Sequence, residues 1–357
     1  IQEIPEVDAV VGIGSNAALP AIVRRLCADG AGQTENYGPK SDMPLGGARV
    51  ISTPRHYAYL KIAEGCNNGC YYCAIPLIRG ALRSREINDC VAEARWLAGE
   101  GVRELILVAQ DPTAYGEDWG KPGAICELLD RLQEIDGIRW IRVLYAYPER
   151  ISDEFIAALV RNTKVVPYLD LPIQHCDDAV LKAMNRRGGR KEIEDAIARL
   201  RAAIPGITLR TTLIAGFPGE TEEQYAELCD FVKTVKFDRL GCFAYSAEEN
   251  TVAAKMPNQL DEETKQRRAD HIMELQAEVS AEREGEKVGN TYECICDGID
   301  EETGMYLLRT KADCPEIDGN VLTPADTPLE TGAFYNVTIT DSDTYDLYGY
   351  VEEKLED

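Results

Sequence analysis

Between residues 57 and 246, short apolar runs alternate with longer segments whose apolar residues recur at the helical period. The runs predict six strands, at Tyr57–Ala63, Glu104–Ala109, Trp140–Tyr145, Val165–Ile173, Ile207–Ala215 and Arg239–Tyr245. The segments between them predict helices near Asn88–Gly99, Ala124–Glu134, Asp153–Arg161, Lys191–Ala203 and Glu222–Val235. This alternation is typical of α/β proteins with a parallel sheet. Six units predict an open, partial (βα)6 barrel with its site at the carboxyl ends of the strands.

The pattern changes after this region. Residues from Glu262 to about Lys287 predict one long charged helix that connects two domains. After Gly289 the apolar period becomes two, which predicts a small antiparallel, OB-like β-barrel with strands at Tyr292–Ile295, Tyr306–Arg309, Phe334–Thr340 and Tyr348–Val351. We therefore expect four segments, 1–50, 51–257, 258–287 and 288–357, of which the first resembles leftover α/β material.

Charge and composition narrow the class of protein. The 357 residues include 62 acidic and 38 basic side chains, so the formal net charge is −24 and a polyanion would be repelled. The sequence contains no apolar run of the roughly 18 to 20 residues that span a bilayer and no signal-peptide pattern. We expect a cytoplasmic protein without a membrane partner. Its twelve cysteines are then candidate metal ligands or buried small hydrophobic residues rather than disulfides.

One cysteine motif directly follows the first predicted strand. Cys66, Cys70 and Cys73 form a Cys-x3-Cys-x2-Cys run. Three thiolates on one loop can hold three irons of a 4Fe-4S cube and leave the fourth iron open. The alternatives are zinc, which usually requires a fourth ligand although the next histidine is His175, and three unrelated buried cysteines.

This loop resembles that of the radical S-adenosylmethionine (SAM) enzymes, in which the open iron chelates SAM. Other stretches are similar to the methylthiotransferase branch of those enzymes, and the terminal barrel is similar to its TRAM domain. The resemblance covers roughly residues 53–357, and the stretches that carry it are Ala74–Gly80 with Arg83–Arg85, Gln174-His175, Met184–Gly188, and Arg210–Thr212 with Gly216–Thr221. It implies a transferase that cleaves SAM reductively to a 5′-deoxyadenosyl radical, with an electron donor such as flavodoxin or ferredoxin.

The resemblance also implies a SAM site, and no catalytic side chain beyond the cluster ligands. Its expected SAM-binding residues follow the strands: Tyr72, Gln110, Gln174, His175, Arg210, Gly216 and Glu220. Simpler roles stay open, because Thr221 and Gln224 form a capping box after Gly216 and Arg210 could pair with a surface acid. We interpret the basic loop Arg186, Arg187 and Arg190 as a solvated face rather than as a clamp for substrate or phosphate.

The motifs leave two members of this branch, which differ in their substrate, as alternatives. One modifies tRNA adenosines, and the other adds a methylthio group to an aspartate β-carbon of small-subunit ribosomal protein S-twelve. Residues 288–357 carry seventeen acidic against three basic side chains, a net charge of −14, which favours a basic ribosomal protein and makes nucleic acid an unexpected partner. Acids such as Asp341, Asp343 and Asp346 are the candidate docking residues, although acid here could serve solubility alone.

Local sequence favours the same member. The stretches Gln110–Gly116 and Tyr145–Glu149 look like those of the ribosomal-protein enzymes, whereas tRNA enzymes commonly carry an Asn-rich turn and Ser-His-Pro at these places. A third interpretation is a non-catalytic iron-sulfur electron carrier, which has no reason to contain a SAM-sized site. Release of 5′-deoxyadenosine separates it from both enzymes.

The resemblance further implies a preceding domain with three more cysteines for an auxiliary 4Fe-4S cluster that delivers sulfur. Only Cys27 precedes Cys66 here, and the chain begins at Ile1 rather than Met. We expect residues 1–50 to be the remnant of that domain. The chain as given should then bind one cluster and cleave SAM without completing sulfur insertion, and the second cluster is expected only in the full-length protein.

Overall fold

The computed structural model describes residues 4–29, 32–324 and 328–356. Residues 1–3 and 30–31 of the predicted N-terminal remnant, and residues 325–327 and 357 of the predicted terminal domain, lie outside them. The strands are β1 (Ala9–Val11), β2 (Thr34–Asn36), β3 (Tyr57–Lys61), β4 (Ala63–Glu64), β5 (Arg83–Ser84), β6 (Glu104–Val108), β7 (Trp140–Val143), β8 (Val165–Asp170), β9 (Thr208–Ala215), β10 (Arg239–Ala244), β11 (Thr291–Ile299), β12 (Tyr306–Thr310), β13 (Val321–Thr323), β14 (Phe334–Ser342) and β15 (Leu347–Lys354). The helices are α1 (Leu19–Asp29), α2 (Ile75–Arg79), α3 (Ile87–Gly99), α4 (Ala124–Gln133), α5 (Asp153–Arg161), α6 (Asp178–Ala183), α7 (Arg190–Ala203), α8 (Glu222–Val235) and α9 (Glu262–Gly285).

Six parallel strands form the central sheet, in the order β3-β6-β7-β8-β9-β10. Strands that are consecutive in this series are paired with each other, and helices connect them. Every one of the six begins within one residue of the predicted run. The partial (βα)6 barrel is therefore confirmed, and its carboxyl strand ends lie along one rim.

The two faces of this sheet have different neighbours, as the alternation of side chains along a strand requires. Leu105 and Leu107 of β6 belong to the large core shared with the helices. Ile106 between them belongs to a second core that includes Ile295 and Phe334 of the terminal barrel. The terminal barrel therefore packs on the sheet face opposite the helices.

The C-terminal strands form a closed barrel in the order β11-β12-β13-β15-β14. A small barrel was predicted, and it is confirmed, but the sequence pattern missed β13, which is only three residues long. The pairing of β13 with β15 is parallel, whereas the other pairs are antiparallel. The expectation of a purely antiparallel barrel is wrong in this one pair.

Helix α9 does more than connect two domains. Its residues Ala269, Ile272 and Leu275 are part of the large core of the (βα)6 barrel. Charged residues on the same helix are also buried: Arg268 pairs with Glu220, and Glu284 pairs with Arg239 of β10. The helix thus covers the β10 edge of the sheet.

Buried ion pairs join the terminal barrel to the (βα)6 barrel. Arg309 of β12 contacts both Glu104 at 2.9 Å and Asp297 at 2.5 Å, and Glu104 also pairs with Arg142 at 2.8 Å. Cores and ion pairs thus run across the predicted boundaries at residues 257 and 287, which stay predictions. Among the described residues, no helix combines the length and the apolar character that a bilayer span needs.

Candidate functional site

A cavity of about 200 Å³ lies at the carboxyl rim of the central sheet. Its walls come from the segments that follow β4, β6, β7 and β8, the place where such barrels carry functional groups. Six of the predicted site residues line it together: Cys66, Cys70, Cys73, Tyr72, Gln110 and Gln174.

The cysteine loop is fixed by contacts that its sequence supplies. Gly65 has φ +80°, and a Cβ there would lie 2.1 Å from the carbonyl oxygen of Ala81, so glycine is required. The Asn67 Oδ1 atom accepts the backbone N–H of Leu82 at 3.1 Å. The side chain of Asn68 is buried and donates to Asp111 at 2.8 Å. These bonds hold the loop in place over the strand ends.

The three thiols are partly buried in the cavity wall. Burial raises the pKa of the Cys66 thiol to about 11, although the backbone N–H of Asn68, at 3.4 Å from its sulfur, acts in the opposite direction. Burial also raises the pKa of Cys73. Because a metal binds the thiolate, assembly of a cluster on these cysteines would displace their protons.

The donor set fits a 4Fe-4S cluster better than a single ion. Thiolates are the usual ligands of such clusters, and each thiolate in a cube binds a different iron. In the part of the chain that the structure describes, no group of three or more His, Cys, Asp or Glu side chains is arranged to hold one metal ion. Three cysteines on the loop, with no fourth cysteine or histidine nearby in the sequence, match the three protein-bound irons of a cube better than the four-ligand set that zinc usually requires.

Two buried polar atoms in the cavity residues have no hydrogen-bond partner in the protein: Oε1 of Gln110 and Nε of Arg186. Such atoms are costly to bury unless something binds them. One is an acceptor and the other a charged donor, so together they match an ammonium and a carboxylate. The amino-acid end of SAM carries both groups.

The interpretation of Arg186 as part of a solvated loop is wrong. Its side chain is buried, its guanidinium lies 3.8 Å from the ring centroid of Tyr147, and Nη2 donates to the carbonyl of Pro172 at 3.1 Å. Arg187 next to it is exposed. The Tyr147 hydroxyl in turn lies 3.8 Å from the Cys70 sulfur. A sequence signal that could have found Arg186 and Tyr147 is their place within four residues of the end of an element, α6 for Arg186 and β7 for Tyr147.

Three predicted SAM residues form a different cluster behind the cavity wall. His175 is fully buried; its Nδ1 accepts the backbone N–H of Asp177 at 3.0 Å, and its Nε2 lies 3.4 Å from Glu220. Both carboxylate oxygens of Glu220 accept the N–H of Gly216. None of His175, Gly216 and Glu220 lines the cavity. Their contact with SAM stays a prediction, and their observed role is to support the wall.

Arg210 also lies away from the cysteines. It pairs with Asp170 at 3.1 Å and borders a separate cavity of about 490 Å³ between β9, β10 and the terminal barrel. Burial raises the pKa of Asp170, although Arg210 opposes this. The observed partner of Arg210 is thus an acidic side chain of the protein, as the alternative interpretation expected, although this acid, Asp170, is buried rather than on the surface.

The predicted docking acids lie at the turn between β14 and β15. Asp341 is exposed, but Asp343 accepts the backbone N–H groups of Tyr345 and Asp346, and Asp346 accepts that of Asn320 at 2.7 Å. Asp343 and Asp346 therefore stabilise the turn. Their use as docking residues stays a prediction.

Some of the acidic charge of the terminal barrel faces inward. Five of its seventeen acids contact the (βα)6 barrel or its cations: Glu293, Asp297, Asp313, Glu316 and Asp318. The remaining acids among the described residues of this barrel are exposed or partly exposed. The outward surface stays acidic, but the count from sequence overstates the charge that a partner meets.

A larger cavity, of about 780 Å³, lies elsewhere. It is bordered by residues 45–49, by Arg85 and by α3 around Trp96. Its charged groups already pair with one another, Arg85 with Glu93 at 2.7 Å and Arg49 with Glu93 at 3.1 Å. None of its lining residues is a cysteine, so the smaller cavity is the candidate site.

Comparison with known proteins agrees with the geometry. Residues 60–232 match the radical SAM superfamily and residues 288–351 match the TRAM domain. The chain is 43% identical over 357 residues to the ribosomal protein uS12 methylthiotransferase RimO of Caldicellulosiruptor saccharolyticus, covering 98% of this chain and 80% of that protein. It is 45% identical to the protein of the same name from Clostridioides difficile, covering 99% and 79%. Among solved structures, Escherichia coli coproporphyrinogen III oxidase HemN, described as a radical SAM enzyme, aligns with a TM-score of 0.48 and 18% identity over 64% of this chain and 54% of that one.

The match to the RimO proteins runs through the cysteine loop, the (βα)6 barrel and the terminal barrel alike. The resemblance inferred from the motifs is therefore confirmed. The chain belongs to the RimO family of radical SAM methylthiotransferases.

Proposed function

We propose that this chain carries the radical-generating and substrate-docking parts of a methylthiotransferase that acts on the β-carbon of an aspartate in ribosomal protein uS12. As in its family, the cofactors are a 4Fe-4S cluster and SAM. The observation that carries the proposal is the cavity in which three thiols meet two polar atoms without a hydrogen-bond partner, the Gln110 Oε1 acceptor and the Nε donor of Arg186, whose Nη2 is already held by Glu149 and Pro172.

Cys66, Cys70 and Cys73 would hold the cluster, which when bound supplies the electron that cleaves SAM. Gln110 would accept the ammonium of SAM through Oε1, and Arg186 would donate to its carboxylate through Nε. These two contacts would orient SAM relative to the loop. Tyr72 and Gln174 border the same space and would contact the rest of the molecule.

The protein's own contribution is positioning and exclusion of water. Tyr147 and Arg186 stack at 3.8 Å and form one wall of the cavity, beside the Cys70 thiol. A primary radical reacts with the nearest C–H bond, so a fixed and narrow site decides which atom reacts. No general acid or base is needed for hydrogen abstraction.

The choice of substrate rests on charge. The outward acids of the terminal barrel would attract a Lys- and Arg-rich ribosomal protein and repel tRNA. The terminal barrel is joined to the sheet by buried ion pairs, such as Arg309–Glu104 at 2.9 Å, so a partner bound there would be held at a fixed place relative to the cavity.

The test compares the two candidate substrates directly. The complete gene product, reconstituted under anaerobic conditions with iron and sulfide, is given SAM, a reductant, and both uS12 and tRNA. The proposal expects the mass of one methylthio group on a uS12 peptide and none on tRNA nucleosides. Methylthiolation of tRNA alone would refute the substrate assignment, and absence of 5′-deoxyadenosine would refute the radical chemistry.

A further inference from the structure

The cysteine loop rests on a buried Asn–Asp–Arg cluster that the reaction chemistry does not itself require. Nδ2 of Asn68 donates to Asp111 at 2.8 Å, and Oδ1 of Asn68 accepts from Arg150 at 2.8 Å. The same Nη1 of Arg150 donates to Asp111 at 2.9 Å. Both the oxygen and the nitrogen of the Asn68 side-chain amide are thus hydrogen-bonded, and Asn68 is only 7% exposed.

Asn68 also contacts a cluster ligand directly. Its backbone N–H lies 3.4 Å from the sulfur of Cys66, within the range of an N–H···S hydrogen bond. Since Asn68 is two residues after Cys66, rotation of its peptide would break this bond. The side-chain contacts to Asp111 and Arg150 fix that peptide.

The Asp111 carboxylate is also connected, through Thr113 and Tyr147, to the surroundings of a second thiol, that of Cys70. The other oxygen of Asp111 accepts the hydroxyl of Thr113 at 2.5 Å, and the Thr113 hydroxyl oxygen accepts the backbone N–H of Tyr147 at 3.1 Å. The Tyr147 hydroxyl is the group 3.8 Å from the Cys70 sulfur. Asp111 therefore links the surroundings of two of the three thiols.

Arg150 is itself anchored from the other side. Its Nε and Nη2 donate to the two oxygens of Glu117, at 2.8 and 3.2 Å. The guanidinium thus spans Glu117, Asp111 and Asn68, which a lysine ammonium on a flexible stem cannot do with the same geometry. This makes Arg150 the fixed point of the arrangement.

We propose that Asn68 and Arg150 are positioning residues that set the reduction potential of the cluster by holding the Asn68 N–H on the Cys66 sulfur. A hydrogen bond to a cluster sulfur stabilises the more negative, reduced state, so it raises the potential. The proposal rests on the proposed function only through the ligand assignment of Cys66, Cys70 and Cys73.

The test is a redox titration of the reconstituted chain, monitored by electron paramagnetic resonance without SAM. Asn68→Ala changes no charge, and Arg150→Lys keeps the positive charge but loses the fork to Asn68 and Glu117. Both should lower the midpoint potential relative to wild type, with Asn68→Ala giving the larger shift. A purely electrostatic role for Arg150 would leave Arg150→Lys at the wild-type value.

The chain offers a matched control. Asn162 is also buried and donates to an aspartate, Asp130, which pairs with Arg161 at 2.7 Å. This trio lies on α4 and at the C-terminal end of α5, and its side-chain hydrogen bonds among the described residues do not reach the cysteine loop. Asn162→Ala should destabilise the protein to a similar degree and leave the potential unchanged.

The outcomes separate the two proposals. A wild-type chain that binds no cluster refutes the ligand assignment. Potentials of Asn68→Ala and Arg150→Lys that equal the wild-type value at full iron content refute the positioning role alone. If Asn68→Ala does not fold, the potential of Arg150→Lys decides.

Discussion

The strongest stability prediction concerns Arg309, which joins the two barrels. Its side chain is 1% exposed, and its guanidinium donates to Asp297 at 2.5 and 3.0 Å, to Glu104 at 2.9 Å and to the carbonyl of Asp313 at 3.1 Å. The two carboxylates lie on both sides of the boundary, Glu104 on β6 and Asp297 on β11. Replacing Arg309 by Met keeps much of its volume and removes all four hydrogen bonds.

The expected cost is large because the buried carboxylate of Glu104 and the carboxylate of Asp297, which is 20% exposed, both lose a partner. Breaking a buried pair by removing one member typically costs about 3–5 kcal/mol. Glu104 keeps Arg142 at 2.8 Å and Asp297 keeps His56 at 2.7 Å, so we expect the lower part of this range, about 3 kcal/mol. The loss should appear in the step that separates the two barrels.

Urea unfolding followed by tryptophan fluorescence measures this step. Trp140 donates to Glu293 at 2.8 Å and its ring lies 5.1 Å from that of Phe334, so it reports the contact between the barrels. Arg161→Met is the matched control, since its pair with Asp130 is 44% and 43% exposed and should be worth about 1 kcal/mol or less. If Arg309→Met costs no more than Arg161→Met, the barrels are not joined by this cluster.

Three further predictions concern pH, SAM and the partner protein. Burial alone would raise the pKa of Asp313, but the neighbouring Arg239 and Lys287 outweigh it and lower this pKa from 3.8 to about 2. The ionised Asp313 therefore contributes about 2 kcal/mol of stability, which is present above about pH 4 and is lost as the pH falls through 2. In urea unfolding, the difference in stability between wild type and Asp313→Asn should shrink from pH 4 to pH 2, and a constant difference would contradict this. Arg186→Met should weaken SAM binding to the reconstituted chain by about tenfold or more in equilibrium dialysis, because a charged hydrogen bond is lost. The control variant Arg187→Met, at the exposed neighbouring residue, should bind SAM like wild type. Equal affinities of the two variants would exclude Arg186 from the site. Glu352→Lys with Glu353→Lys, both exposed, should slow association with uS12 about tenfold at low salt and little at high salt, and an unchanged rate would show that this face does not attract the partner.

The strands of the central sheet could be predicted closely because their burial is regular. Leu105, Ile106 and Leu107 are all fully buried, so the run in β6 is continuous and bounded by polar residues. The Cys-x3-Cys-x2-Cys spacing predicted that Cys66, Cys70 and Cys73 lie together, and all three line one cavity, because residues of one loop need no tertiary context to meet. Both signals are local in the sequence.

The missed features depend on contacts between distant residues. Helix α9 has buried Lys265, Arg268 and Glu284, so its inner face contains charges that look like a solvated surface until their partners are known. Arg186 was misread for the same reason: one basic residue of a basic loop is buried by Tyr147, which lies 39 positions earlier in the chain. Strand β13 has three residues and pairs only because β12 and β15 lie on both sides of it.

The acidic terminal barrel illustrates the same limit. Its net charge can be counted from the sequence, but Asp297, Asp313 and Asp318 are used inside the molecule. Asp343, chosen from sequence as a docking residue, forms the turn of its own hairpin. Charge-reversal tests of docking therefore belong at exposed acids such as Glu352 rather than at Asp343.

The most direct test of the account measures cluster assembly and SAM cleavage by this chain. Wild type and a Cys66/Cys70/Cys73 variant with three serines are reconstituted under anaerobic conditions, purified, and assayed for bound iron and sulfide and for 5′-deoxyadenosine after addition of SAM and dithionite. We predict the iron of one 4Fe-4S cluster and release of 5′-deoxyadenosine for wild type, and neither for the variant. A variant that keeps a full cluster and cleaves SAM, or a wild type that does neither, would contradict the central claim.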